Sequence, residues 1–116
     1  MGRAEAPQAT HEIRVLIADD QALVRAAFRM LLETESGISV IAEASSAEDA
    51  VATAGRTRQD VVLIDATLQG SIEATREIAR LPRARVMILT AHDSDNCVFD
   101  ALRAGASGFL LRDTEP

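Results

Sequence analysis

The chain has 116 residues, 47% hydrophobic and 26% charged, which is long enough for one buried core and too short for two. A formal charge of −6 excludes a surface that grips nucleic acid through its phosphates, and no apolar stretch approaches the length of a bilayer span. One cysteine, Cys97, rules out an internal disulfide framework, and its place in a helical pattern assigns it to packing.

Residues 1–12 mix Gly, Pro, Ala and Glu without periodicity and are expected to be a flexible lead-in; Met1–Thr10 has no signal-peptide core, so a cytoplasmic chain is expected. Ile13–Ala18 reads as the first strand and runs into the acid pair Asp19-Asp20. From Gln21 to Thr34, Val24, Phe28, Leu31 and Leu32 mark one face of a helix, which Asp19 or Asp20 can cap and Gly37 follows. Ile38–Ala42 is a shorter strand near an edge. Ser45-Ser46-Ala47-Glu48 has the form of a capping box, opening a helix with a small-residue stripe of Ala47, Ala50, Val51 and Ala54 that buries little area.

Asp60-Val61-Val62-Leu63-Ile64-Asp65 is the stretch on which the rest is organised. Four aliphatic residues without polar alternation fit a strand covered on both faces, hence central in a parallel sheet. Asp65 then emerges at the carboxyl edge of the sheet, where open α/β folds place their ligands, and Asp19-Asp20 arrive there in the same way. Carboxylates held roughly 5 Å apart repel by ~3 kcal/mol per pair, an arrangement that calls for a cation or an abnormal titration.

A helix near Ser71–Arg80 follows, with Ala74, Ile78 and Leu81 inward and Pro82 as its stop. Arg85–Thr90 is the fourth strand, Asp93 or Ser94 begins a helix with the stripe Val98, Ala101 and Leu102, and Gly105 ends it. Ser107–Leu111 is the fifth strand. Strands recurring at a steady interval, each pair separated by one helix, define an α/β sheet of parallel strands with right-handed crossovers. The last strand has no helix after it, so the domain, residues 13–116, is expected to continue beyond Pro116.

At Asp19-Asp20, Asp65, Thr90-Ala91 and Ala104-Gly105-Ala106-Ser107-Gly108-Phe109-Leu110-Leu111-Arg112-Asp113 the sequence closely resembles response-regulator receiver domains, over residues 13–115. The last stretch resembles the LuxR/NarL-type subfamily, whose receivers precede a helix-turn-helix DNA-binding domain. The resemblance implies a flavodoxin-like sheet of order 2-1-3-4-5 and phosphorylation of Asp65 by a sensor histidine kinase or a small phosphodonor. It further implies Mg²⁺ held by Asp19, Asp20, Asp65 and the backbone carbonyl of Thr67, hard oxygen ligands suited to that ion. Thr90 would contact the phosphoryl group and turn inward, with Phe109 following as the second switch residue. Homodimerisation, and DNA contact only through a domain absent from this chain, are the implied outputs.

Two departures from the family stand out. Its usual lysine after the fifth strand is Arg112 here, which keeps the charge but is bulkier and differently hydrated. The loop after Asp65 reads Ala66-Thr67-Leu68-Gln69-Gly70-Ser71-Ile72, with Gln69 where the subfamily has proline and with its Asp-Gly pair missing. These departures motivate an alternative, an atypical receiver acting as a phosphorylation-independent interaction or ligand-sensing module. A phosphohydrolase with an Asp nucleophile would place that residue after the first strand in an Asp-x-Asp arrangement, which is absent. The chain is therefore expected to be no enzyme beyond its own phosphorylation and dephosphorylation. His92, close to Thr90, reads as an exposed spectator.

Overall fold

The computed structural model describes residues 12–90 and 95–111, with the backbone alone at residues 95–97. Five strands form one parallel sheet: β1 (Ile13–Ala18), β2 (Ile38–Ala44), β3 (Val61–Asp65), β4 (Arg85–Thr90) and β5 (Gly108–Leu111). Their order is β2-β1-β3-β4-β5, so the unbroken aliphatic run of β3 lies at the centre. The helices between them are α1 (Ala22–Glu33), α2 (Ala47–Arg56), α3 (Ser71–Ala79) and α4 (Asp95–Ala104).

Alternate strand residues feed two cores. Leu16, Ala18, Val62, Ile64, Val86 and Ile88 pack with Ala50, Ala54, Ala74, Ile78 and Ala101 of α2, α3 and α4. Val15, Ile17 and Val40 face the other way, against Phe28 and Leu32 of α1. Burial on both faces is why the strands carry no polar alternation. The alanine stripe on α2 lets that helix lie close to the sheet.

Several details differ from the sequence reading. No residue of α1 is buried: Leu31, assigned to its inward face, is 64% exposed, and Leu23 and Met30 are more so. Leu102 of α4 also faces solvent. The two glycines stand where the sequence put them: Gly37 (φ 92°) between α1 and β2, and Gly105 (φ 118°) at the end of α4. There Ala106 N–H bonds the Ala101 carbonyl and Gly105 N–H that of Leu102, a Schellman closure requiring the left-handed residue that glycine supplies. The true cap of α2 is Ser46, which accepts from Asp49 N–H, so the box lies one residue later than Ser45 and Glu48. The start of α4 at Asp93 or Ser94 falls outside the described residues.

β2 runs to Ala44, two residues beyond the Ile38–Ala42 of the sequence reading, and carries a bulge that the reading did not foresee. Val40 pairs with Val15 but Ala42 pairs with Leu16, leaving Ile41 as the extra residue. A one-residue insertion reverses the faces of everything after it. Glu43, opposite Ile17, is thereby turned to the α1 side of the sheet.

Candidate functional site

β1 and β3 are adjacent and parallel, with Ala18 opposite Ile64, so their carboxyl ends bring Asp19 and Asp65 side by side. Carboxylate oxygens of Asp19, Asp20 and Asp65 lie within 4.8 Å of one another. Asp19 is 1% exposed and Asp65 3%, while Asp20 is open to solvent. The Asp19 backbone is fixed by its N–H to the Ala44 carbonyl. Its Oδ1 accepts Gln21 N–H, a local turn; Gln21 holds the N-cap position of α1 without a side-chain capping bond, so neither Asp19 nor Asp20 is the cap. Among the described residues, Oδ2 of Asp19 is buried with no hydrogen-bond partner. Burial first, then the Asp65 and Asp20 carboxylates, push the Asp19 carboxyl above the usual range, against the lowering effect of Gln21 N–H.

Asp65 is held by the loop it opens. Its Oδ1 accepts both the N–H and the hydroxyl of Thr67, at 3.0 and 3.1 Å. Sequence reasoning had used only the Thr67 carbonyl. The short loop closes without proline: Leu68 N–H bonds the Asp65 carbonyl, Leu68 is buried, and Ser71 Oγ donates to the Ala66 carbonyl at 3.0 Å. Gly70, with φ 85°, then admits the chain directly into α3. The missing Asp-Gly pair is thus absorbed by a tighter turn that leaves Asp65 in place.

Thr90 ends β4 beside Asp65, which pairs with Leu89, and is 4% exposed. In β5, Phe109 lies opposite Ile88 and therefore on the same sheet face as Thr90. Phe109 is 41% exposed, so in this conformation its ring is not core. Arg112, Ala91 and His92 lie outside the described residues, as does the side chain of Cys97.

The sequence reading missed a second layer. Arg25, one turn into α1, donates through Nη1 to the Asp19 carbonyl at 2.7 Å and through Nε to Glu43 Oε1 at 2.9 Å. Arg29 Nε binds the other oxygen of Glu43 at 2.8 Å. Hydrogen bonds from the two guanidiniums, Arg29 first, hold the Glu43 carboxyl below the usual range. The available signal was a lone glutamate in an apolar strand together with arginines spaced i,i+4 on the neighbouring helix.

The residues present suit a small hard cation: a buried carboxylate oxygen without a partner, two further carboxylates within reach, and an opening beside exposed Asp20. A buried carboxylate at the end of the central strand, flanked by an acid pair and a strand-terminal threonine, is the arrangement expected of a receiver on an open α/β sheet.

Comparison with known proteins agrees. The response regulator receiver domain family matches residues 15–116. The chain is 42% identical over 108 residues to an uncharacterized transcriptional regulatory protein, YxjL, of Bacillus subtilis, covering 90% of this chain and 50% of that one. It is 41% identical over 107 residues to the response regulator UvrY of Escherichia coli, covering 90% and 49%. A two-component response regulator of the LuxR family from Aurantimonas superposes with a TM-score of 0.82 at 37% identity, covering 90% of this chain and 77% of that one. The chain belongs to the response regulator receiver family and is of the LuxR/NarL type. It spans about half the length of the curated relatives it matches.

Proposed function

We propose that Asp65 is phosphorylated in a Mg²⁺-dependent reaction, from a sensor histidine kinase or a small phosphodonor, and that this sets dimerisation and the output of a helix-turn-helix DNA-binding domain outside this chain. The observation that carries the proposal is the acid cluster with its orphaned Asp19 oxygen. Asp19, Asp20, Asp65 and the Thr67 carbonyl would hold the ion, which when bound offsets negative charge on the transferring group. The Thr67 donors hold Oδ1 of Asp65 and orient the carboxylate, leaving Oδ2 as the oxygen its loop does not restrain. That oxygen attacks phosphorus as the bond to the donor's leaving group breaks. Thr90 donates to a phosphoryl oxygen, and Arg112 pairs with another. Phe109, on the Thr90 face of the sheet, follows Thr90 inward and alters the surface of α4 and β5.

The chain acts as a switch and turns over no separate substrate, and its setting is the cytoplasm. Among the described residues no helix is long and apolar enough to cross a membrane. A helix following β5 would cover the exposed Leu110 and the apolar side of α1. The length shared with the transcriptional relatives, about half of theirs, is the support for a further output domain.

The test is intact-mass analysis after incubation with acetyl phosphate and Mg²⁺. One added phosphoryl group is expected, absent with EDTA and absent in Asp65→Asn, together with a shift toward dimer on adding beryllofluoride. No adduct and no beryllofluoride response would reject the proposal in favour of a module working through contacts alone. The Thr67 grip on Asp65, a carboxylate already served by its own loop, is the feature that favours that second reading.

A further inference from the structure

At the opposite, amino-terminal edge of the sheet a cavity of about 270 Å³ opens between the end of α2 and the turn before β4. Arg14, Arg58 and Arg83 line it, against one carboxylate, Asp60. In a chain of net charge −6, this corner carries an excess of positive charge. Arg58 and Arg83 have no ion-pair or hydrogen-bond partner for their side chains among the described residues. Arg14 meets Asp60 only at 3.9 Å, with both side chains about a third or more exposed, a weak pair. The floor is built rather than incidental: Gln59 is buried, its Nε2 donating to the Ala54 carbonyl and its Oε1 accepting from Thr57.

Arg83 is the one described non-glycine residue with positive φ, at 81°. It follows Pro82, and proline followed by a left-handed residue is the pattern of a type II turn, whose third position favours glycine. An arginine there keeps a backbone penalty that glycine would remove. The strained residue also lines the cavity, and like Arg58 it is exposed, its charge unspent on any internal partner among the described residues. Strain retained at a cation with no internal partner is what a ligand-holding position looks like.

We propose that this cavity binds a small phosphate monoester, its phosphoryl group gripped by the forks of Arg58 and Arg83, with Arg14 adding charge and its short carbon portion against Leu81 and Pro82. The volume sits just under the range of drug-sized pockets, ~300 Å³ and above, which favours a triose- or pentose-sized ligand over a nucleotide. The site is independent of the acid pocket and does not rest on phosphorylation of Asp65.

The experiment is a ¹H–¹⁵N NMR titration of the whole chain with glycerol 3-phosphate, orthophosphate and, as control, glycerol. Saturable shifts at Gly55, Arg58 and Arg83, with Asp19 and Asp65 signals unmoved, are expected for both phosphates and not for glycerol. Tighter binding of glycerol 3-phosphate supports the monoester; equal or tighter binding of orthophosphate overturns that assignment and makes the site one for free phosphate. Arg58→Gln and Arg83→Gln should each weaken binding by roughly tenfold, the loss of one charge-assisted fork. Arg83→Gly should weaken it similarly while raising Tm, separating ligand loss from unfolding. Shifts that never saturate, or an Arg83→Gly protein that binds as tightly as the parent, would overturn the site.

Discussion

Replacing Asp19 with asparagine isolates the charge stored in the acid pocket. Asparagine keeps an Oδ1 to accept Gln21 N–H, so the turn into α1 survives while the buried negative charge goes. With their ligand oxygens within 4.8 Å, and at an effective dielectric of about 20, Asp19 and Asp65 repel by ~3.5 kcal/mol or more. Asp20 is exposed and its contribution is screened. Part of the repulsion is already relieved because Asp19 holds its proton more tightly than an ordinary carboxylate. A net gain of about 1–2 kcal/mol for Asp19→Asn without divalent ions is expected, raising Tm by roughly 5–10 °C in a domain of this size. The pH sign follows from the same shift. The folded chain keeps a proton that the unfolded chain has released, so metal-free stability falls as pH rises from the ordinary Asp range, ~3.9, through the raised folded value. Asp19→Asn removes that fall. With Mg²⁺ at a hundred times its Kd the parent gains ~2.7 kcal/mol and the variant little, so the order of stabilities reverses. Circular-dichroism melts in EDTA and in Mg²⁺, across pH, measure all of this. A variant less stable than the parent in EDTA, or one with an undiminished Mg²⁺ increment, would refute the reasoning.

Glu43→Gln should cost about 1 kcal/mol at neutral pH, discounted for the partial exposure of Arg29 and Glu43. Its pKa is depressed in the fold, so this contribution is present above the ordinary glutamate value, ~4.3, and is lost as pH falls through the lower folded value; parent and variant denaturation curves should converge there. Ser46→Ala removes the Oγ that accepts Asp49 N–H and should lower stability by about 1 kcal/mol in urea unfolding. Gly105→Ala places a Cβ 2.7 Å from that of Ala79 at φ 118°, and should cost more than about 1 kcal/mol, partly recovered by adding Ala79→Gly.

What the sequence disclosed and what it withheld divide along a physical line. Strand order, the central place of Val61–Asp65 and the meeting of Asp19 with Asp65 follow from runs of β-branched aliphatics ending in acids, a pattern of period and position. The bulge at Ile41 does not, because an inserted residue leaves no mark on composition, and with it went the face on which Glu43 lies. The exposure of Leu31 and Leu102 was equally illegible: periodicity names a helix's apolar side but not what stands against it. The loop after Asp65 was recognised as altered, yet its solution, Ser71 Oγ on the Ala66 carbonyl and the Thr67 hydroxyl on Asp65, depends on geometry that only coordinates give.

The bulge also bears on why the pocket keeps its charge. Among the described residues Arg25 is a cation bonded to the acid cluster, yet it reaches only the backbone carbonyl of Asp19, its Nε being engaged by Glu43. Without the bulge Glu43 would face α2, and Arg25 would lose the carboxylate that holds its Nε away from the acids. An arginine drawn onto Asp19 would satisfy the orphaned Oδ2 from within and compete with any ion arriving from solvent. Glu43 therefore keeps Arg25 tied to the sheet and leaves the charge of the pocket for an external cation. The consequence is measurable: Glu43→Gln should weaken Mg²⁺ binding in calorimetry even though residue 43 touches no ligand, whereas Arg25→Met in the same background should restore it. Unchanged Mg²⁺ affinity in Glu43→Gln would confine the Arg25–Glu43–Arg29 cluster to fastening α1 on the sheet.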